Sequence, residues 1–211
     1  MRRRLDTELV RRGLAVSREG ARALVEQGAV LVGGSLADKP ARLVAESEPV
    51  VVVDPAARRF VSRGGEKLDA ALSRFVIAVS GRRCLDAGAS TGGFTDCLLR
   101  RGASQVVAVD VGHGQLDASL RQDPRVEVRE RTNIRGLELR ELDGLRFEVV
   151  VADLSFISLV TVAPVLAGDL ADPGADIVVL VKPQFEAGRA EVGRGKGVIR
   201  RPEVRRAALE R

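Results

Sequence analysis

Apolar residues return every three to four positions near the start of the chain: Leu5, Leu9 and Val10 in "RRRLDTELVRRG", with charged residues between them. That period predicts a short helix, and Gly13 supplies the positive φ that ends one. Ser17 sits where a second helix needs an N-cap, ahead of an apolar face of Ala21, Leu24 and Val25 that runs to Gly28. "AVLV" then reads as a strand, Gly33-Gly34 as the positive-φ turn of a hairpin, and "PVVVVD" (49–54) as another strand. These elements predict a small α+β domain over residues 1–58. The stretch "DPAARRFVSRGG" (54–65) has no period, and its proline, glycines and charges place a linker at 59–65.

From residue 82 the pattern changes to short β-type runs separated by helical ones: "RRCLDAG", "TGGFTDCLLRRG", "SQVVAVD", "GQLDASLRQ", "RVEV", "FEVVVADL", and after a further helix "ADIVVLVKP". Strands alternating with helices predict βαβ units, hence an α/β, Rossmann-like domain with a mostly parallel sheet over residues 66–211. Ligands of such sheets sit at the carboxyl ends of the strands. The residues that finish each run therefore matter most.

Composition adds a direction. A chain 45% hydrophobic and 30% charged is globular. Its net charge is +5, and residues 1–63 carry 12 Lys/Arg against 8 Asp/Glu while the remainder is nearly balanced at 22 against 21. The basic excess thus lies in the small domain, where Arg2, Arg3, Arg4, Arg11, Arg12, Arg18 and Arg22 fall on the polar side of the helical pattern, and it points to a polyanionic partner. Cys84 and Cys97 are too few for a disulfide framework or a zinc site and read as buried hydrophobes of a reducing cytoplasm. No apolar region follows the N-terminal arginines and no stretch nears bilayer-spanning length. A cytoplasmic protein with no membrane association and no metal is expected.

The loop "DAGASTGGF" runs from Asp86 to Phe94 between the first strand and helix of the second domain, with Gly88, Ser90, Thr91, Gly92 and Gly93 inside it. It comes close to a dinucleotide fingerprint. Ser90, however, puts a side chain where the backbone must approach a pyrophosphate, and Asp86 sets an anion at the strand tip where two phosphates would lie. An anion there suits a cationic ligand, the ammonium and sulfonium of S-adenosylmethionine, with a dinucleotide or a purely structural loop as the alternatives. Asp110, ending the next strand, can accept from ribose hydroxyls of either cofactor. Asn133 stands where an adenine edge would lie, or serves as an ordinary turn residue.

Asp153 ends the run "FEVVVAD" beside the expected methyl position. Methylation of exocyclic amines commonly uses Asn/Asp-Pro-Pro-aromatic here, whereas this chain has Asp-Leu-Ser-Phe; methylation at a pyrimidine carbon needs a cysteine, and both cysteines lie inside secondary structure. A hydroxyl acceptor remains. "LVKPQF" (180–185) delivers Lys182 to the carboxyl edge and Pro183 stops the ladder. A lysine near a second lysine can accept a hydroxyl proton, which arginine cannot, and Lys67 in "SRGGEKL" is the candidate neighbour. Asp153 would orient an amine and offset the charge. Phe156 and Phe185 flank the presumed site and can stack a base, although for Phe156 core packing is the expected role.

Two resemblances sharpen this reading. "RLDTELVRRGLAVSREGARALVEQGAVLVGG…KP" resembles the αL RNA-binding module named after a small-subunit ribosomal protein; it implies structured RNA held through phosphates by Arg4, Arg11, Arg12, Arg18 and Arg22. "SRGGEKL", "CLDAGASTGGFTDCLL", "DVGHGQL", "ERTNIR", "VADLSFISL" and "LVKPQFE", in that order, resemble the TlyA-type (hemolysin A-like) ribosomal RNA 2′-O-methyltransferases, relatives of the FtsJ fold. The resemblance implies methyl transfer from S-adenosylmethionine to cytidine 2′-hydroxyls of ribosomal RNA or ribosomal subunits through a Lys-Asp-Lys-Glu tetrad. Lys67, Asp153 and Lys182 match its first three members. The family's glutamate follows a Gly-Asn step that this sequence lacks, and Glu186 is not that residue. "RPEVRRAALER" opens a helix at Pro202 without a cap at its end, so the sequence is expected to stop short of its final strands. The glycine- and cation-rich stretch 186–201 reads as a lid over RNA phosphates or as disorder. A non-enzymatic RNA-binding protein and a membrane-active hemolysin are the rivals.

Overall fold

The computed structural model describes residues 2–37, 39–54, 59–186, 199 and 202–210, and the chain divides after Arg63 into two units. The stretch expected to form a lid lies, apart from Glu186 and Ile199, outside the described residues.

In the first unit, helices α1 (Leu5–Arg11) and α2 (Arg18–Glu26) form where the apolar spacing puts them. Ser17 Oγ accepts from the Gly20 N–H at 3.1 Å, the N-cap that satisfies an otherwise orphaned donor. Gly28, at φ +68°, reverses the chain into strand β2 (Val30–Val32). Gly33 and Gly34, both at positive φ, turn it into β3 (Ser35–Leu36), and β5 (Val50–Val52) pairs on the other side of β2. The polar face expected for Arg2, Arg3 and Arg4 is corrected: Arg2–Arg4 form strand β1, antiparallel to β4 (Leu43–Ala45). A ladder partner some forty residues downstream outweighs helical propensity, and the Leu5 N–H donates to Arg42 O at 2.7 Å where strand becomes helix. Leu5, Leu9, Ala21, Val25, Val30 and Val44 make the core.

In the second unit, helix α3 (Arg63–Arg74) begins inside the stretch expected to be linker. Strands β6 (Arg83–Ala87), β7 (Gln105–Val109), β8 (Val126–Arg129), β9 (Phe147–Ala152) and β10 (Ala171–Val179) form one sheet in the order β10-β9-β6-β7-β8, every pair parallel. The chain winds outward from β6 to β8, then returns to the other side of β6. The switch point therefore lies between the ends of β6 and β9. Helices α4 (Gly93–Arg100), α5 (Ala118–Arg121), α6 (Leu159–Ala163), α7 (Pro183–Glu186) and α8 (Pro202–Leu209) connect or follow the strands. After α6 the chain continues as a π-helical turn, Pro164–Asp169, closed by the Leu170 N–H on Val165 O at 3.0 Å. Proline at the first position removes a donor and favours such a register change. β10 bulges between Ala171 and Asp176, where Pro173 cannot donate to the ladder. Leu85, Val107, Phe147, Val150, Leu166 and Leu170 lie in the core. Cys84 and Cys97 are buried thiols, and burial pushes the Cys84 thiol up to about 12, so it is no nucleophile.

Candidate active site

The site begins with a turn only glycine can make. Gly88 follows β6 at φ +88°, and a Cβ there would lie 2.9 Å from the carbonyl oxygen of Asp153. The N–H groups of Gly88 and Ala89 donate to Val109 O at 2.8 and 3.1 Å, pulling the loop across the end of β7. Ser90 is itself left-handed, at φ +48°. Its N–H donates to Asp110 Oδ2 at 2.8 Å and its hydroxyl to Gln115 Oε1 at 3.2 Å. Thr91 is exposed, Gly92 caps α4 at φ +95°, Gly93 opens that helix, and Phe94 is buried in its first turn.

Asp86 lies fully buried within β6. The Thr95 hydroxyl donates to its Oδ2 at 2.7 Å, whereas Oδ1 is buried with no hydrogen-bond partner among the described residues. Burial pushes this carboxyl up to about 7, opposed by the Thr95 hydrogen bonds and reinforced by Asp153 and Asp110. A carboxyl raised on folding takes up a proton that the unfolded chain releases. The stability it contributes is thus present below the ordinary carboxylate range and lost as pH rises towards about 7. Thermal melts of the ligand-free protein from pH 4 to 8 are expected to show that decline, and Asp86→Asn to flatten it.

Asp110 accepts from Ser90 N–H and, through Oδ1, from Gly112 N–H at 2.6 Å. Both its oxygens thus brace the loop, and each keeps a lone pair for a ligand. Ala89, Ser90, Asp110, Gly112, Gln115 and Glu130 line a shallow depression at this end of the sheet. Gln115 and Glu130 were not singled out by sequence reasoning. Glu130 accepts from Gly114 N–H at 2.8 Å, lies 2.7 Å from His113 Nδ1 and pairs with Arg121. The Arg121 hydrogen bond leads in holding its carboxyl down at about 2. Asn133 caps the 3-10 turn Ile134–Gly136, its Oδ1 accepting from the Arg135 N–H at 3.1 Å.

Across the switch point stands Asp153, whose N–H donates to Ala87 O at 3.1 Å. Two ammonium groups meet its carboxylate: Lys182 Nζ at 2.5 Å from Oδ1, and Lys67 Nζ, from α3, at 3.6 Å from Oδ2. Lys182 aims its hydrogen bond at Ser155 Oγ, 2.8 Å away, so Asp153 Oδ1 is held by charge rather than by a well-directed hydrogen bond. The side chains of Lys182 and Asp153 are about four-fifths buried, that of Lys67 half-exposed. One carboxylate thus faces two cations beside the Gly88 turn. Phe156 is corrected: at φ +65° its side chain is thrown outward, 91% exposed, with its ring centroid 5.3 Å from that of Phe185. An aromatic residue held left-handed carries local strain, of order 1 kcal/mol.

In the first unit the expected RNA-facing arginines prove to be organised by two buried acids that sequence reasoning did not mark. Arg4 and Arg18 converge on Asp6 at 2.8 and 3.2 Å, and the Arg4 hydrogen bond leads in holding that carboxyl well below the usual range. Arg11 and Arg12 clamp Glu8 at 2.6 and 2.7 Å, which brings it down to about 2. Arg12 also donates to the carbonyls of Ala45, Glu46 and Glu48 and is a staple within the unit, not a free surface cation. Arg4, Arg11, Arg18 and Arg22 are exposed.

A parallel sheet with a glycine turn and charged residues at its switch point defines a Rossmann-like methyltransferase fold. Residues 60–210 match the FtsJ-like methyltransferase model and residues 3–50 the S4 domain. The chain belongs to the FtsJ-like methyltransferases, in the TlyA branch that carries an S4 domain in front. It is 58% identical over 204 residues to the 16S/23S rRNA (cytidine-2′-O)-methyltransferase TlyA of Mycobacterium tuberculosis, covering 97% of this chain and 75% of that protein. It is 40% identical to Hemolysin A of Brachyspira hyodysenteriae, covering 98% and 84%. A solved structure of a hemolysin-named protein from Streptococcus thermophilus matches with a TM-score of 0.73 at 39% identity, covering 99% and 75%. Among the described residues no helix is long and apolar enough to cross a membrane.

Proposed function

We propose that this chain transfers a methyl group from S-adenosylmethionine to the ribose 2′-hydroxyl of cytidine in ribosomal RNA, in the cytoplasm. The observation that carries this reading is the pair of lysines on Asp153 at the switch point. The cofactor fits the residues opposite: Asp86 Oδ1, buried with no hydrogen-bond partner among the described residues, needs a donor or cation, and Asp110 beside it keeps lone pairs for ribose hydroxyls. When bound, S-adenosylmethionine supplies a methyl carbon activated by a sulfonium leaving group.

The protein's own part is alignment and management of one proton. Asp86 and Asp110 would orient the cofactor's cationic and ribose ends. Lys182, the less exposed of the two side chains, would act as the neutral amine, having first released a proton to solvent, and take the 2′-hydroxyl proton as the oxygen attacks the methyl carbon and the sulfonium leaves as a neutral thioether. Asp153 would hold it in place, and Lys67 would stabilise the developing negative charge. Phe156, outward beside the site, presents a face on which the target base can stack. Arg4, Arg11, Arg18 and Arg22 of the S4 unit would hold RNA phosphates.

Ribosomal subunits incubated with methyl-labelled cofactor, digested with alkali and mapped, are expected to show label in alkali-resistant linkages 3′ of cytidine, because a 2′-O-methyl group blocks cleavage. Label in alkali-sensitive nucleotides would place the methyl on a base and overturn the reading.

A further inference from the structure

Glu186 ends α7 with its side chain buried, 6% exposed, close to the reactive end of the sheet. A buried carboxylate costs several kcal/mol unless its oxygens are satisfied. Its partners are specific: Oε2 accepts from the Ser158 hydroxyl at 2.5 Å and Oε1 from the Leu159 N–H at 2.8 Å. Leu159 is the first residue of α6, and Ser158, the cap position, provides no side-chain cap of its own. Glu186 therefore caps α6 from another segment of the chain.

Lys182 lies one turn earlier on that same segment, linked by the Phe185 N–H on Lys182 O at 2.8 Å. Residues 182–186 thus grip residues 153–159 at two points. Lys182 holds Asp153 and Ser155 at one end, and Glu186 holds Ser158 and Leu159 at the other. Between the grips sits Phe156 in its left-handed conformation at φ +65°. A strained residue persists only where its surroundings over-determine it, and the Glu186 grip supplies the second anchor.

We propose that Glu186 is a positioning residue for methyl transfer. It holds the 153–159 loop against the 182–186 turn, and so sets both the approach of Lys182 to Asp153 and the outward presentation of Phe156. This rests on the reading of the site given above. The carboxylate would act through the loop rather than on the reacting atoms.

Three variants of the full chain test it: Glu186→Ala, Glu186→Gln and Ser158→Ala. Glu186→Ala is expected to lower kcat on ribosomal subunits by ~10- to 100-fold, the scale of a misplacement of about an ångström, with the Kd for S-adenosylmethionine unchanged within about two-fold. Glu186→Gln is expected to recover most of that rate, because its amide oxygen still accepts from Leu159 N–H and its amino group can donate to Ser158 Oγ. Ser158→Ala should fall between the two. Amide hydrogen exchange at Leu159 should accelerate in Glu186→Ala but not in Glu186→Gln. Undiminished turnover in Glu186→Ala, or equal loss of rate and cofactor affinity in both Glu186 variants, would overturn the proposal alone. No methylation by the unaltered protein would overturn the function reading, and this inference with it.

Discussion

Replacing Lys182 with alanine is expected to cut methyl transfer by ~10³-fold or more while leaving S-adenosylmethionine affinity within about two-fold; a positioned general base contributes on that order. The lysine sits 2.5 Å from Asp153 Oδ1 and 2.8 Å from Ser155 Oγ. Lys182→Arg separates its two possible roles. Arginine keeps the charge but does not give up or take a proton at any pH of interest. A base role predicts that Lys182→Arg is about as inactive as Lys182→Ala. Substantial activity in Lys182→Arg would reduce the lysine to a source of charge. Single-turnover rates on ribosomal subunits, with calorimetric cofactor titrations alongside, make the distinction.

Gly88→Ala should be the most damaging change in the cofactor loop. The residue is at φ +88°, a conformation costing an L-residue roughly 1–2 kcal/mol. The added Cβ would stand 2.9 Å from Asp153 O and 3.2 Å from Leu154 Cδ2. The nearer atom is backbone and cannot rotate away, so β6 and the Asp153 segment must part. One methyl group therefore disturbs the cofactor loop and the lysine-carboxylate cluster together. Cofactor affinity is expected to fall by ~100-fold and methyl transfer by more, with a loss of ~2–3 kcal/mol in stability from strain and overpacking combined. Gly144→Ala is the control: φ is +70° and nothing lies within 4 Å of its Cβ, so strain alone is felt. Equal losses in stability for both, with cofactor binding intact in Gly88→Ala, would show that the Gly88 contact with Asp153 has no functional weight.

Much of this site was legible in the chain because it rests on local rules. Strand tips, the loop at Asp86–Phe94 and the lysine stopped by Pro183 are each set by a few neighbouring residues, and the α/β alternation brings their ends to one edge. What escaped was non-local. Arg2–Arg4 read as part of a helix because their strand partner, Leu43–Ala45, comes about forty positions later. Asp6 and Glu8 carry no signal in the apolar spacing. They are buried because arginines at both ends of α1 and the start of α2 close over them. Phe156 read as core, since nothing in an aromatic residue announces a left-handed φ. Glu186 was set aside as unrelated to the family's glutamate, and its bond to Ser158 spans 28 positions with no sequence signature. In each case a charge or a backbone angle was decided by tertiary partners, which periodicity does not encode.

On this reading the lysines on Asp153 face the reactive atom of a cofactor held by the Asp86–Phe94 loop. A crystal structure with bound S-adenosylhomocysteine tests it most directly, through the distances from its sulfur to Asp153 and to Lys182 Nζ. The expected result is the amino end at the glycine loop, with Asp86 Oδ1 now holding a partner, and the sulfur turned to Asp153 across space enough for one methyl group and one ribose oxygen. A sulfur directed away from Asp153, or a cofactor whose binding drives Lys67 and Lys182 apart from that carboxylate, would contradict it.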